Sequence, residues 1–136
     1  MAIFQRVHHI GVVVDSLDDA KRLLGQGGIG LQLVTERDIA PIQRRLAFFQ
    51  CGEVQIELIQ PYSELALERE LSGNKAKIEH IAVEVDDVRG ALKALSSLGL
   101  RATSRGVMHV GDRETAWTDP DTSDGVMYQL VARRVQ

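Results

Sequence analysis

The sequence predicts an α+β fold made of two tandem βαβββ modules within a single domain of residues 1–136. A length of 136 residues with 44% apolar content suits one compact core. Two nearly identical phrases, HHIGVVVD and EHIAVEVD, each begin a segment that alternates between apolar and other residues, and such alternation is typical of a strand. We expect one module in residues 1–60, the other in residues 78–136, and a helical linker in residues 61–77.

The two phrases belong to an internal repeat that continues through both modules. A shift of 71 residues places His9 on His80. With one extra residue, VQIELI (54–59) falls on VMYQLV (126–131). The two halves therefore contain the same parts in the same order. Other matched pairs are Ile10 and Ile81, Val12 and Val83, Val14 and Val85, Asp15 and Asp86, and Leu24 and Leu95.

The first module is predicted to contain a strand, a helix and three further strands. Residues 7–14 are β-branched and alternating, which favours a strand. Asp15 or Ser16 is a suitable N-cap for the helix, and the GQGG sequence at residues 25–28 ends it. The remaining strands are expected near residues 31–35, 45–50 and 54–60.

The second module is predicted to repeat this order after a linker helix at residues 64–71. Asp86 or Asp87 is the expected cap of its helix, and Gly99 follows the helix end. The predicted elements are a strand at 78–85, a helix at 88–98, and strands at 100–104, 114–118 and 125–131.

Composition restricts the class of partner. The 16 basic and 19 acidic residues give a formal charge of −3, which does not favour nucleic acid or an anionic membrane. No apolar run approaches the roughly 18 residues of a membrane span, and the first residues do not resemble a signal peptide. We therefore expect a cytoplasmic protein whose partner is a small molecule or another protein. Cys51 is the one cysteine, so an internal disulfide is excluded, and we expect it to be a small apolar filler.

Strand alternation places four polar side chains at equivalent positions of the two modules. His9 and His80 open the first strands, while Glu57 and Gln129 occupy matching places in the last strands. Imidazole, carboxylate and amide groups can all bind a divalent metal. The alternative is that both histidines are satisfied by backbone or water and that Glu57 faces solvent. The recurrence of all four on one predicted face favours a metal site.

At these residues the sequence resembles the vicinal oxygen chelate superfamily, which includes glyoxalase I, methylmalonyl-CoA epimerase, extradiol dioxygenases and bleomycin-resistance proteins. The motifs most similar to the epimerase and its glyoxalase-like relatives are HHIGVVVDSLDDA, VQIELIQP, IEHIAVEVDDVRGALKALSSLGL and TDPDTSDGVMYQLV. The resemblance implies a glyoxalase-like fold, in which the sheet of the paired modules curls around a central cleft. It also implies one divalent ion (Zn, Co, Ni or Mn) bound by His9, Glu57, His80 and Gln129.

The resemblance implies a metal-dependent enzyme that abstracts a proton next to a carbonyl, as methylmalonyl-CoA epimerase does. The alternatives are a glyoxalase I-like lactoylglutathione lyase and a metal-free protein that sequesters a drug or metabolite. The implied catalytic positions are Glu57 and Gln129. Because Gln129 stands where these enzymes usually have Glu and cannot accept a proton, we expect Glu57 to do so. An acyl-CoA thioester or a glutathione adduct is the implied substrate, and a homodimer is the implied assembly.

Other polar residues allow two interpretations each. Glu36 and Asp38 are candidates for a further acidic base, whereas His109 is interpreted as a loop histidine. Trp117 either stacks on a ligand or covers a sheet edge. Four cations could meet coenzyme A phosphates, but scattered surface charges are the favoured interpretation: Arg44, Arg45, Lys75 and Lys77.

Overall fold

A computed structural model describes residues 2–110 and 112–132 of the chain. The chain folds into two compact units, one of residues His9–Glu79 and one of residues Met1–His8 with His80–Gln136. Residues 1, 111 and 133–136 of the predicted domain lie outside the described part. The described strands belong to one mixed sheet, and the accompanying helices confirm the α+β prediction.

The unit of residues 9–79 has the predicted βαβββ order followed by the linker helix. The elements are β1 (Arg6–Val14, which starts just before the unit), α1 (Leu17–Leu24), β2 (Gln32–Ile39), β3 (Arg44–Cys51), β4 (Val54–Pro61) and α2 (Glu64–Leu71). The strands lie in the order β2-β3-β4-β1, with β1 parallel to β4 and the other neighbours antiparallel.

Local chemistry explains where these elements begin and end. Ser16 caps α1, because its side chain accepts a hydrogen bond from the Asp19 amide. Gly52 has a φ of 62° in the two-residue turn between β3 and β4, and a glycine adopts that conformation without steric cost. The linker helix has the bounds that the sequence predicts.

The second unit repeats this arrangement. The elements are β5 (Ala76–Val85, which starts just before the unit), α3 (Val88–Ser96), β6 (Met108–Val110), β7 (Arg113–Trp117) and β8 (Tyr128–Ala132). The strands lie in the order β5-β8-β7-β6, with β5 parallel to β8. Asp87 caps α3 by accepting a hydrogen bond from the Gly90 amide.

The prediction of a strand at residues 100–104 of the second module is wrong. Residues 100–104 contribute only an isolated bridge between Ala102 and Thr118, and the strand next to β7 is instead β6. The Arg101 amide donates to the Thr122 hydroxyl, and its carbonyl accepts from the Asp119 amide. The backbone of Arg101 is therefore bonded to the loop that follows β7, and only the Thr103 amide, which donates to the Trp117 carbonyl, reaches β7 itself.

The predicted apolar faces are confirmed in both modules. In the first, Val12, Val14 and Leu58 pack in a cluster with Leu17 of α1. In the second, Val83, Val85 and Leu130 pack in a cluster with residues of α3. Because side chains alternate along a strand, His9 and Glu57 lie on the sheet face opposite α1 in their module, and His80 and Gln129 lie opposite α3 in theirs. Among the described residues, no helix is long and apolar enough to cross a membrane.

Candidate metal centre

His9 and Glu57 are neighbours on adjacent parallel strands. Gly11, two residues after His9, is the register partner of Glu57, so no side chain occupies the position directly beside the carboxylate. The His9 Nε2 atom lies 3.3 Å from Glu57 Oε1. Both residues are buried, with 5% and 6% of their surfaces exposed. Such burial of an imidazole and a carboxylate requires compensation by a partner or an ion.

Apolar groups surround this pair within its own unit. Phe48 is the register partner of Glu57, and its ring meets the His9 ring edge-on, with centroids 5.6 Å apart. A buried cluster that contains Val13, Leu46 and Ile59 continues along the same sheet face. Low polarity around the pair strengthens its electrostatic interactions.

The second unit places His80 and Gln129 in the equivalent register. Ala82, two residues after His80, is the register partner of Gln129, as Gly11 is of Glu57. His80 is 4% exposed. The Gln129 Nε2 atom donates to the Thr115 hydroxyl at 3.0 Å, and that hydroxyl donates to the Leu130 carbonyl at 2.8 Å. The sequence carries no local signal that singles out Thr115.

Three of the four predicted ligands form a group that could hold a metal ion. One possible ligand atom from each of His9, Glu57 and His80 lies within 4.8 Å of the others, and all three residues are buried. Neighbouring ligands bound at about 2.0–2.2 Å to one ion lie roughly 3.0–3.5 Å apart, and the 3.3 Å between His9 and Glu57 fits this range. Two imidazoles and a carboxylate therefore suit a divalent ion of the borderline class.

The additional acidic candidates lie on the other face of their strand. Glu36 is the register partner of Ala47, which packs in the cluster that contains Leu17 of α1. Glu36 is exposed and pairs with Lys21, while Asp38 is exposed and accepts a hydrogen bond from the Tyr62 hydroxyl. Neither carboxylate shares the face of His9 and Glu57.

The interpretation of the four cations as scattered surface charges is wrong for Arg44. Its side chain is only 15% exposed, and it donates two hydrogen bonds to Glu79 and one to Glu70. Burial opposes its charge, but the two carboxylates raise the pKa of Arg44 above its usual value. Burial also raises the pKa of Glu70, although Arg44 partly offsets this effect. Lys75, Lys77 and Arg45 are exposed, as expected, and the Arg45 guanidinium lies 3.9 Å from the Asp18 carboxylate.

The structure also gives the positions of Trp117, His109 and Cys51. Trp117 is the register partner of Gln129 and lies beside it on the same face, with the Arg105 guanidinium 5.4 Å from its ring centroid. His109 lies on β6 rather than in a loop, and it is exposed. Cys51 is exposed, so its interpretation as an apolar filler is wrong.

Two βαβββ units, each with a histidine on its first strand and a polar partner on its last, define a protein of the glyoxalase-like fold class, and His9, Glu57 and His80 form a group that could hold a metal ion. The model of the glyoxalase/bleomycin resistance protein/dioxygenase superfamily matches residues 8–117. The chain belongs to this superfamily, which confirms the resemblance noted in the sequence.

Three individual proteins that match this chain share between 21% and 28% sequence identity with it. The chain is 28% identical over 131 residues to YqjC of Bacillus subtilis (strain 168), an uncharacterized protein, covering 92% of this chain and 90% of that one. It superposes on methylmalonyl-CoA epimerase from Mycobacterium tuberculosis with a TM-score of 0.85 and 22% identity, covering 99% and 92% of the chains. The chain also superposes on a variant of the Streptomyces coelicolor methylmalonyl-CoA epimerase in complex with 2-nitronate-propionyl-CoA. The TM-score is 0.82 and the sequence identity 21%, and the match covers 97% of this chain and 96% of that one. At this identity the two solved structures establish the shared fold.

Proposed function

We propose that this protein is a metal-dependent enzyme that abstracts a proton next to a carbonyl, with methylmalonyl-CoA epimerase-like chemistry. The observation that carries the proposal is the buried group of His9, Glu57 and His80, whose ligand atoms lie within 4.8 Å of one another. These three residues would hold one divalent ion, with Gln129 as the fourth ligand. When bound, such an ion stabilises the negative charge that develops on a substrate carbonyl oxygen.

Glu57 is the residue that we expect to move the proton. A carboxylate has two oxygens, so one can be a ligand while the other accepts a proton from the α-carbon. The electron pair of the broken C–H bond then passes toward the carbonyl. Glu57 is 6% exposed, and exclusion of water from this position strengthens the electrostatic interactions that support the transfer.

A specific observation also favours the glyoxalase I-like lyase as a second candidate. Epimerisation must return the proton to the opposite face of the carbon, which calls for a second proton donor. The amide of Gln129 cannot serve, and Glu36 and Asp38 lie on the other face of β2. Transfer of a proton between two adjacent carbons on one side of a substrate needs only one base, which Glu57 would supply.

Two measurements test the proposal. Protein purified without an affinity tag is analysed for its divalent metal content, and about one ion per chain is expected. The protein is then incubated in D₂O either with methylmalonyl-CoA, to follow α-deuteration and inversion, or with the hemithioacetal of methylglyoxal and glutathione. Inversion supports the epimerase, and loss of the hemithioacetal supports the lyase.

A different result would favour the alternative of a metal-free binding protein. Absence of bound metal after dialysis against each of Zn, Co, Ni and Mn, together with absence of exchange on both substrates, would overturn the proposed function. Tight binding of a drug or metabolite under those conditions would identify a sequestering protein instead.

We further propose that the enzyme is a homodimer and acts in the cytoplasm. The resemblance to the superfamily supports a homodimer, and sedimentation of the purified chain would distinguish a dimer from a monomer. The absence of charge patterns for nucleic acid or membrane supports a cytoplasmic enzyme with a small acyl-CoA or glutathione substrate.

A further inference from the structure

We propose that Thr115 is a positioning residue that turns the amide of Gln129 so that its oxygen, and not its nitrogen, faces the metal. The inference rests on the proposed function, since it concerns the fourth ligand of that site. Thr115 is 2% exposed and lies one strand away from Gln129, on the same sheet face.

The hydrogen bonds around Thr115 determine which end of the amide lies near it. The Leu130 carbonyl, 2.8 Å from the Thr115 hydroxyl, can only accept, so the single hydroxyl proton is directed to it. The hydroxyl oxygen can then only accept from Gln129, and the nearby amide atom must be the nitrogen, 3.0 Å away. The amide oxygen is thereby left as the end available to a cation, for which the NH₂ group would be an unsuitable ligand.

A comparison with the first module explains why a hydrogen bond that orients the ligand side chain is needed in the second module alone. Leu46 is the register partner of Ile59, as Thr115 is of Val131, so Leu46 and Thr115 are equivalent. The ligand beside Leu46 is Glu57, whose two carboxylate oxygens are chemically the same and need no such orientation. Gln129 has two different ends, and its equivalent neighbour carries the hydroxyl that distinguishes them.

Metal affinity tests this role without any use of turnover. Competition titrations with a chromophoric chelator would compare Thr115→Val, which keeps the shape of the side chain, with Thr115→Ser, which keeps the hydroxyl. We expect Thr115→Val to weaken metal binding by about 10–100-fold, the usual effect of losing a group that orients a ligand. Thr115→Ser should remain within about threefold of the wild type.

Thr118→Val is the matched control. Thr118 is also fully buried, and its hydroxyl contacts the Ser123 hydroxyl and the Tyr128 amide rather than Gln129. We expect Thr118→Val to destabilise the metal-free protein to a similar degree as Thr115→Val while leaving metal affinity unchanged. Equal metal affinities for Thr115→Val and the wild type would overturn the inference but leave the proposed function intact. A wild type that binds no metal would overturn both.

A measurement on the wild type keeps the test valid if Thr115→Val does not fold. The side-chain NH₂ resonances of Gln129, assigned by their loss in Gln129→Glu, should show slow exchange with solvent in the metal-free and metal-bound protein. Rapid exchange of these protons would contradict the hydrogen bond to Thr115.

Discussion

The two modules share one geometry and differ in chemistry at its centre. Gly11 is the register partner of Glu57 in the first module, and Ala82 is the register partner of Gln129 at the equivalent position of the second. Yet Glu57 can hold a negative charge or a proton, whereas Gln129 can do neither. The repeat therefore fixes the positions of these side chains, and in the proposed function the difference between Glu57 and Gln129 assigns the proton transfer to the first module.

The largest expected effect comes from breaking this difference with Glu57→Gln, which makes both modules carry an amide. At saturating metal, the α-proton exchange rate should fall by about 10²–10⁴-fold, because the proposed general base is lost. Deuterium incorporation followed by mass spectrometry measures this rate. Glu53→Gln removes the same charge from the exposed turn of the same hairpin and is the matched control. Unchanged turnover of Glu57→Gln would show that the proton is taken elsewhere.

The next effect concerns stability and is confined to the unit of residues 9–79. Arg44→Met leaves Glu70 and Glu79 without their shared cation, and breaking this partly buried ion cluster should cost about 2 kcal/mol of unfolding free energy, less than the loss of a fully buried ion pair. Denaturant unfolding measures the loss. Arg45→Met is the control on the same strand, because Arg45 is 45% exposed and 3.9 Å from Asp18. A loss no greater than that of the control would mean that the cluster contributes no net stability.

The repeat made much of this molecule predictable from the sequence. Apolar alternation identified the strands and faces around His9 and His80, because the pattern has the period of a strand in both modules. Arg44 was misinterpreted because its partners lie 26 and 35 residues away in the sequence and leave no local pattern. The short strand β6 and the hydrogen bond between Thr115 and Gln129 were missed for the same reason, since both depend on contacts with other strands.

The helix caps permit a smaller comparison between equivalent positions of the two modules. Ser16 accepts from the Asp19 amide at 3.2 Å, whereas the Asp87 carboxylate accepts from the Gly90 amide at 2.7 Å. Because a charged cap also interacts with the helix dipole, Asp87→Ala should cost about 1–2 kcal/mol and Ser16→Ala about 0.5–1 kcal/mol. Thermal and denaturant unfolding of the two variants measure these costs. A larger loss for Ser16→Ala would contradict the proposed ranking.

The smallest expected effect is a pH dependence within the Arg44 cluster of the first unit. Burial raises the pKa of Glu70 above its usual value of 4.5, so the folded chain holds a proton that the unfolded chain releases over the window just above that pH. Stability from this group is thus present below the unfolded pKa and declines as pH rises through the folded pKa. Glu70→Gln removes the titration and keeps an oxygen that can accept from Arg44. Denaturant unfolding at several pH values should therefore show the variant gaining stability relative to the wild type as pH rises through this window. A gain on acidification instead would mean that Arg44 outweighs burial and lowers the pKa of Glu70.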